Sequence, residues 1–271
     1  MRRVGVYVDA SNIGMNGGHG MRYEVLRTLA CRAGGEPQRL NVYLAFDAQR
    51  AEREPEYLQK ASNYQAALRD QGFRVTVKQV RRFYDDEGME TKKANADLDM
   101  AVDVLTESER LDTVVLVTGD GDFVQVARAL QSKGCRVEVV AFDNVSRELR
   151  DTADQYINGL LVPNLVPVRN VNPASPKWGE IGSRVRGVCQ TYQAEQRYGF
   201  IRYLSAVPGS IVVGNQLEET RSAFFRGGDL PSNLSESLLP SRDVILEFEL
   251  SEPAKIDGLP VARRIDVVAT L

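Results

Sequence analysis

The run Thr113–Val117, with the sequence Thr-Val-Val-Leu-Val, is the feature that most constrains the fold of this chain. A strand without alternating polar residues has to be covered on both faces, which favours a central strand of a parallel sheet. Similar runs alternate with segments of helical spacing, with strands predicted at 3–8, 40–46, 73–80 and 136–142 and helices at 21–33, 55–68, 94–105 and 123–134. This alternation predicts an α/β domain in which a mostly parallel sheet has helices on both faces.

Three local predictions complete this domain, which we expect to span residues 1–162. In the helix at 94–105, one apolar face is expected to be buried, formed by Leu98, Ala101, Val102 and Leu105. The acidic stretch 85–88 predicts a turn, and 146–157 is expected to be an amphipathic segment after the last strand.

The pattern changes after residue 162. Residues 163–177 carry prolines interleaved with Asn, Val and Ser, which predicts an extended linker. The remainder, 178–271, has short alternating runs separated by Gly, Pro and Ser, at 185–192, 198–203, 211–213, 223–226, 244–250 and 262–268. Short strands at this spacing predict a second domain that is a small β-barrel of the OB type.

Composition restricts the chemistry. The chain has three widely separated cysteines and one histidine, so thiolate and imidazole metal sites are excluded and any metal is expected to be held by oxygen, as Mg²⁺ or Mn²⁺. No apolar run is long enough to cross a bilayer, and the chain starts without a secretory pattern. We therefore expect a cytoplasmic protein without a membrane partner.

Acidic residues come where predicted strands end. Asp9 ends the first strand, Asp120 and Asp122 follow Thr113–Val117, and Asp97 begins the helix before that strand. The carboxyl ends of parallel strands form the usual ligand site of an open sheet, so these acids are expected to converge. Converging carboxylates repel one another unless some are protonated or a divalent cation neutralises them.

Simpler explanations exist for several polar residues. Asp122 sits where a helix begins and could be its N-cap. Asp99 and Asp103 are expected on a solvated face, Asp47 at the start of a loop, and His19 in an exposed glycine-rich loop. Lys92 and Lys93 are either surface lysines or phosphate contacts.

Four segments of the first domain resemble the NYN family, a branch of the PIN-like nuclease superfamily. They are 6–12 (Val-Tyr-Val-Asp-Ala-Ser-Asn), 93–103 (ending Asp-Leu-Asp-Met-Ala-Val-Asp), 114–123 (ending Val-Thr-Gly-Asp-Gly-Asp-Phe) and 134–142. The resemblance covers about the first 160 residues. It implies a PIN-like fold and a divalent-metal-dependent ribonuclease.

The resemblance also implies roles for individual residues. Its acidic cluster, which would bind metal and act in catalysis, corresponds to Asp9, Asp97, Asp120 and Asp122, with Asn12 steadying it. Relatives usually place a lysine three residues before the first helix acid, a position held here by Ala94. Lys93 lies one residue earlier and is the expected substrate contact.

The second domain contains aromatic residues suited to stacking on bases. Tyr198 and Phe200 share one face of a predicted strand, and Tyr192 and Phe225 come from its neighbours. These runs resemble cold-shock domains, which implies binding of single-stranded RNA. The alternative is that Phe200 and Phe224 are core residues of the barrel.

Two functions remain open from the sequence. The first is a metal-dependent endoribonuclease acting on single-stranded RNA, and the second is a catalytically weak or inactive RNA-binding regulatory protein. The net charge of −3 weighs mildly against RNA, because a polyanion prefers a basic surface. A haloacid-dehalogenase-type phosphatase would need Asp at Ser11, and a dinucleotide-binding enzyme would need a Gly-x-Gly-x-x-Gly turn after the first strand; neither is present. The sequence is also compatible with a homo-oligomer.

Overall fold

The computed structural model describes residues 1–84, 89–169, 175–210, 218–253 and 258–271. Its internal contacts divide the chain into two compact units. The first unit comprises Met1–His19 and Gly34–Ile157, and the second comprises Gly20–Ala33 and Asn158–Leu271. The short segment Gly20–Ala33 thus groups with the C-terminal unit, although sequence order places it in the first predicted domain.

The first unit is built on a parallel sheet. In the described part of the chain its strands are β1 (Arg2–Asp9), β2 (Gly35–Phe46), β3 (Arg74–Gln79), β4 (Arg81–Tyr84), β5 (Glu90–Lys93), β6 (Thr113–Val117), β7 (Arg136–Ala141) and β8 (Gln155–Asn158). Six of them form one sheet in the order β3-β2-β1-β6-β7-β8, and β4 and β5 form a separate antiparallel hairpin. The pairs β1–β2, β1–β6, β2–β3 and β6–β7 are parallel, which confirms the predicted sheet.

Seven helices lie within the described residues. They are α1 (Ala10–Met15), α2 (Tyr23–Ala30), α3 (Ala48–Arg53), α4 (Pro55–Asp70), α5 (Ala96–Glu107), α6 (Val124–Ser132) and α7 (Arg147–Thr152). Helices α5 and α6 contribute to a core that includes Tyr7, Leu116 and Phe123. The segment predicted as one amphipathic stretch at 146–157 contains α7 and the start of β8. The turn predicted at 85–88 lies outside the described residues.

The predicted buried face of α5 is right for Ala101 and Leu105, which are partly buried against the core, and wrong for Leu98 and Val102. The residues that it buries are Ala96, Met100 and Val104, whereas Leu98 and Val102 are 60% and 55% exposed. The carboxylates of Asp103 and Glu107 instead accept hydrogen bonds from buried tyrosines, from Tyr43 Oη at 2.8 Å and from Tyr7 Oη at 2.9 Å. Asp103 is therefore not on a solvated face. Asp99 is also engaged, because Lys78 Nζ lies 2.6 Å from its carboxylate.

The second unit contains a closed barrel. Its strands are β9 (Arg184–Gln193), β10 (Tyr198–Leu204), β11 (Thr220–Arg226), β12 (Val244–Ser251) and β13 (Val261–Thr270). They follow one another around the barrel in the order β10-β11-β13-β12-β9, with β11 and β13 parallel and the other described pairs antiparallel. This barrel is consistent with the predicted OB-like domain. The strand predicted at 211–213 lies outside the described residues.

A buried ion cluster joins part of the predicted linker to the barrel. Glu247 is fully buried, and its carboxylate accepts hydrogen bonds from Arg184 and Arg186 at 3.2 and 2.9 Å. Arg186 also donates to the carbonyl oxygen of Pro167 at 2.6 Å, and Leu165 is fully buried. The first part of 163–177 is therefore packed within the second unit rather than extended and free. Within the described residues, no helix is both long and apolar enough to span a membrane.

Candidate functional site

Three of the four predicted acids line one cavity at the carboxyl edge of the parallel sheet. Val8 lies opposite Val117 in the β1–β6 register, so the residues that follow the two strands leave the sheet side by side. The cavity there measures about 210 Å³, and its polar lining includes Asp9, Asn12, Asn95, Asp97 and Asp120. The position of these carboxylates agrees with the expected ligand site of an open α/β sheet.

Asp9 is the most enclosed of these acids. Its side chain is only 6% exposed, and its Oδ1 accepts a hydrogen bond from the backbone N–H of Asn12 at 3.0 Å, which caps α1. Burial raises the pKa of the Asp9 carboxyl, and the charges of Asp97 and Asp120 raise it further, while the Asn12 hydrogen bond opposes the shift. A buried carboxylate with two acidic neighbours is stabilised by a nearby cation.

Asn12 connects the two strand ends. Its backbone N–H holds Asp9, and its side-chain Oδ1 accepts a hydrogen bond from the N–H of Gly119 at 2.9 Å. Gly119 has no room for a side chain, because a Cβ there would lie 1.9 Å from the carbonyl oxygen of Asn144. The loop after β6 is therefore fixed against the loop after β1, which sets the position of Asp120 relative to Asp9.

Asp120 and Asp122 have different environments. Asp120 Oδ1 accepts a hydrogen bond from the N–H of Asp122 at 3.0 Å and caps the short 3₁₀ turn Gly121–Phe123. The capping role considered for Asp122 therefore belongs to Asp120. Asp122 and Asp97 are both exposed, but only Asp97 lines the cavity. Asp122 lies beside the cavity rather than in it.

The acids of the described residues do not form a closed metal cage. No group of three or more His, Cys, Asp or Glu side chains in this part of the chain converges tightly enough to hold a metal ion by itself. The donor set still fits Mg²⁺, because that ion keeps several waters and is usually bound by one or two carboxylates together with substrate phosphates. An open site of carboxylate and amide oxygens around Asp9 meets this requirement.

Lys93 is the last residue of β5, where its backbone lies opposite Arg81 in the hairpin. Its side chain is outside the described part of the structure. The next two residues of the chain, Ala94 and Asn95, line the acidic cavity. The backbone thus brings Lys93 close to the acids, and its substrate contact stays a prediction.

Two grooves adjoin the acidic cavity and were missed by the sequence analysis. One, of about 370 Å³, shares Ser11 and Ala45 with the cavity and is lined by Phe46, Tyr57 and Tyr64. The spacing of the two tyrosines, seven residues apart on one helix, is the signal that could have revealed this aromatic wall. The other groove, of about 280 Å³, shares Ala94 and Asn95 with the cavity and carries Arg81 beside the Lys78–Asp99 ion pair.

The barrel carries an aromatic cluster on its outer surface. Tyr198, Phe200 and Phe224 are half-buried, and their ring centroids lie 5.9 to 6.1 Å from one another. Phe200 pairs with Phe224 across β10 and β11, and a Cβ at Gly199 between the two β10 aromatics would clash with the buried Phe225. The core alternative for Phe200 and Phe224 therefore does not hold, because both lie outside the barrel.

Two predicted stacking residues need correction. Phe225 is fully buried in the barrel core, so it is not a base-stacking residue. Tyr192 stacks on Phe225 with a centroid distance of 5.8 Å, and its hydroxyl donates to the carboxylate of Glu236. Tyr192 is thus committed to the core side, and Phe224 takes the surface position that had been expected for Phe225. His19 is exposed, as its loop position predicts.

Comparison with known proteins gives three similarities. The profile of the NYN domain matches residues 3–162. Low amplitude and bright protein LabA of Synechococcus elongatus is 32% identical over 103 residues, which are 37% of this chain and 55% of that protein, so the chain spans about half the length of this curated relative. A Vibrio parahaemolyticus protein of unknown function has a crystal structure that is 22% identical, with a TM-score of 0.46, and the match covers 58% of this chain and 91% of that chain.

Proposed function

The chain belongs to the NYN domain family of the PIN-like superfamily, and from this premise we propose that it is a divalent-metal-dependent endoribonuclease acting on single-stranded RNA. The observation that carries the proposal is the cavity in which the buried Asp9 faces Asp97 and Asp120. We further propose that the C-terminal barrel binds RNA through its aromatic cluster.

The cavity would hold Mg²⁺ or Mn²⁺ through Asp9, Asp97 and Asp120, with water completing the shell and Asp122 beside it. When bound, the ion lowers the pKa of a coordinated water and stabilises charge on the scissile phosphate. Asn12 keeps the Asp9 carboxylate in position by its backbone N–H, and it keeps the Asp120 loop in register by accepting from Gly119.

The grooves beside the cavity suit a single strand. On one side Arg81 would attract a phosphate, while Lys78 beside it is paired with Asp99, and on the other side Tyr64 would stack on a base. Lys93 would add a phosphate contact from the hairpin. A strand that crosses the acids between these grooves would be cut internally, which is why we propose an endonuclease. We also propose that the protein acts in the cytoplasm, and that a homo-oligomer is compatible with this role.

A second candidate is a catalytically weak or inactive RNA-binding regulatory protein. The observation that favours it is the lack, in the described residues, of three acids close enough to hold a metal unaided. In that case the acids would repel one another without an ion, and the barrel would provide the RNA affinity.

Asp120→Asn separates the two candidates. In the nuclease, the variant loses cleavage of labelled single-stranded RNA in Mn²⁺, while its amide oxygen preserves the cap on Gly121–Phe123. The wild-type reaction with chelator gives the metal-free baseline. Cleavage by Asp120→Asn at the wild-type rate, or wild-type cleavage that persists in chelator, would contradict the metal mechanism. Absence of cleavage by the wild-type protein in Mn²⁺ would favour the regulatory role.

A further inference from the structure

Two arginines face one small cavity on the side of the barrel. The cavity measures about 190 Å³ and is lined by Arg202 from β10, by Arg242 from the loop before β12, and by Val188, Gln190 and Ser241. This volume is below the roughly 300 Å³ at which pockets for whole small molecules begin. The cavity is therefore sized for a small group rather than for a cofactor.

The two guanidinium groups have no ion-pair partner among the described residues. Among the described residues, neither the Arg202 nor the Arg242 side chain forms a hydrogen bond or an ion pair, and none of the residues that line the cavity is acidic. Burial lowers the pKa of Arg202, and the charge of Arg242 lowers it further. Most other arginines of the barrel are paired: Arg184 and Arg186 with Glu247, and Arg264 with Glu249. Two like charges at one cavity without a carboxylate are stabilised by a bound anion.

The cavity continues the aromatic cluster. Residues of β10 alternate between the barrel core and its surface, so Tyr198, Phe200 and Arg202 lie on the same outer face. Successive members of this row are about 7 Å apart, as two residues of an extended strand are. Guanidinium groups bind phosphate oxygens through paired N–H donors, and aromatic rings stack on bases. A ligand that has bases and phosphates in alternation would satisfy both features.

We propose that Arg202 and Arg242 form a binding site for a backbone phosphate of single-stranded RNA, next to the bases that stack on Tyr198, Phe200 and Phe224. The Ser241 hydroxyl oxygen already accepts from the N–H groups of Asp243 and Val244, so its proton is available to the same phosphate. This inference rests on the RNA-binding role proposed for the barrel.

The test measures binding of the full chain to a fluorescently labelled single-stranded RNA in chelator, across a series of salt concentrations. Arg242→Gln and Arg202→Gln should each weaken binding by about tenfold and lower the slope of log affinity against log salt by about 0.7. Arg264→Gln is the matched control, because it removes the same charge from an exposed arginine that pairs with Glu249. Thermal unfolding of each variant shows whether the barrel is still folded. If Arg202→Gln destabilises it, Arg242→Gln alone decides the test, because Arg242 is exposed.

Phe200→Ala separates failure of this site from failure of the RNA-binding role. Weaker binding by Phe200→Ala with unchanged affinity and salt slope in both arginine variants would overturn the phosphate site and leave RNA binding by the barrel intact. An equal loss in Arg264→Gln would also overturn it, since the effect would then be one of overall charge. Absence of binding by the wild-type chain would overturn both proposals.

Discussion

Replacing Asp9 by Asn tests the acidic cavity at its most buried carboxylate. Asp9 is buried, caps α1 through its Oδ1, and faces Asp97 and Asp120. Asparagine has nearly the same shape and can accept the same hydrogen bond from the Asn12 N–H, but it carries no charge. The substitution therefore removes the cation ligand and leaves the helix cap. We expect RNA cleavage in Mn²⁺ to be lost.

The sign of the stability change follows from the pKa of Asp9. Because the pKa of this carboxyl is raised in the folded protein, the native state holds its proton more tightly than the unfolded chain does. In chelator the wild-type protein therefore loses stability as the pH rises above the usual aspartate value of 3.8 and through the folded pKa. Asp9→Asn abolishes this loss, so at neutral pH in chelator it should melt above the wild-type protein.

Adding Mn²⁺ should reverse the order of the two melting temperatures. At a free Mn²⁺ concentration one hundred times its Kd, the wild-type protein gains about 2.7 kcal/mol, which for a domain of this size raises the melting temperature by about 5 to 10 °C. Asp9→Asn should gain only a small part of that. Asp9→Ala also lacks the charge but loses the cap, so it should be about 1 kcal/mol less stable than Asp9→Asn in chelator.

The assay records RNA cleavage and the melting temperature of each variant, with Mn²⁺ and with chelator. Asp47→Asn is the control for cleavage, because Asp47 also follows a strand and caps a helix, here α3, yet does not line the acidic cavity. Its melting temperature is compared only with and without Mn²⁺, since the variant also loses the ion pair with Arg82. It should cleave RNA as the wild-type protein does. If Asp9→Asn keeps both its cleavage and a wild-type response to Mn²⁺, Asp9 is no metal ligand and the reasoning from burial and charge fails.

Three further predictions use other parts of the molecule. Tyr198→Ala should cost on the order of 1 to 3 kcal/mol of affinity for single-stranded RNA in an anisotropy titration while the barrel stays folded; unchanged affinity would remove it from the interface. Gly119→Ala should lower stability to urea by on the order of 1 to 3 kcal/mol, because its Cβ meets the Asn144 carbonyl oxygen, and a neutral result would mean that the loop yields. Limited trypsin digestion should cut first after Lys177, which is exposed, whereas Arg169 is held by its N–H bond to the buried Glu247; first cuts elsewhere would contradict an accessible linker around residue 177.

The parallel sheet and the convergence of its acids could be predicted because both depend on local pattern. An apolar run such as Thr113–Val117 has to be covered on both faces, and the residues that follow parallel strands share one edge whatever the rest of the chain does. Asp9 and Asp120 therefore come together by topology alone. Predicting that they share one site did not require knowledge of contacts between side chains distant in sequence.

Only part of the buried face of α5, Ala101 and Leu105, could be predicted, because the rest depends on partners far away in sequence. Asp103 and Glu107 are half-buried, and there they accept hydrogen bonds from Tyr43 and Tyr7. A buried acid without such a donor would be strongly unfavourable, so sequence reasoning assigns it to solvent. The apolar Leu98 and Val102 are exposed instead.

The prediction placed Phe225 on the surface and considered Phe224 for the core, and the structure has the reverse, for a different physical reason. Adjacent residues of a strand point to opposite faces, so one of the two has to be buried and the other exposed, but their own sequence does not say which. The choice is made by the partner strand, where Phe200 lies opposite Phe224 and Gly199 opposite Phe225. Only a glycine leaves room for the Phe225 ring to pass beneath β10.

The two proposed RNA-binding sites differ in their dependence on metal, so affinity measurements with and without metal can separate them. Carboxylates around Asp9 repel a phosphate backbone until a cation offsets their charge, whereas the arginines Arg202 and Arg242 attract it without one. Affinity measured in chelator therefore reports the barrel, and the increment on adding Mn²⁺ reports the acidic cavity. Asp9→Asn should abolish the increment and leave the chelator value unchanged or slightly higher, because it removes a repulsive charge. Arg242→Gln should lower the affinity in chelator and leave the Mn²⁺ increment unchanged.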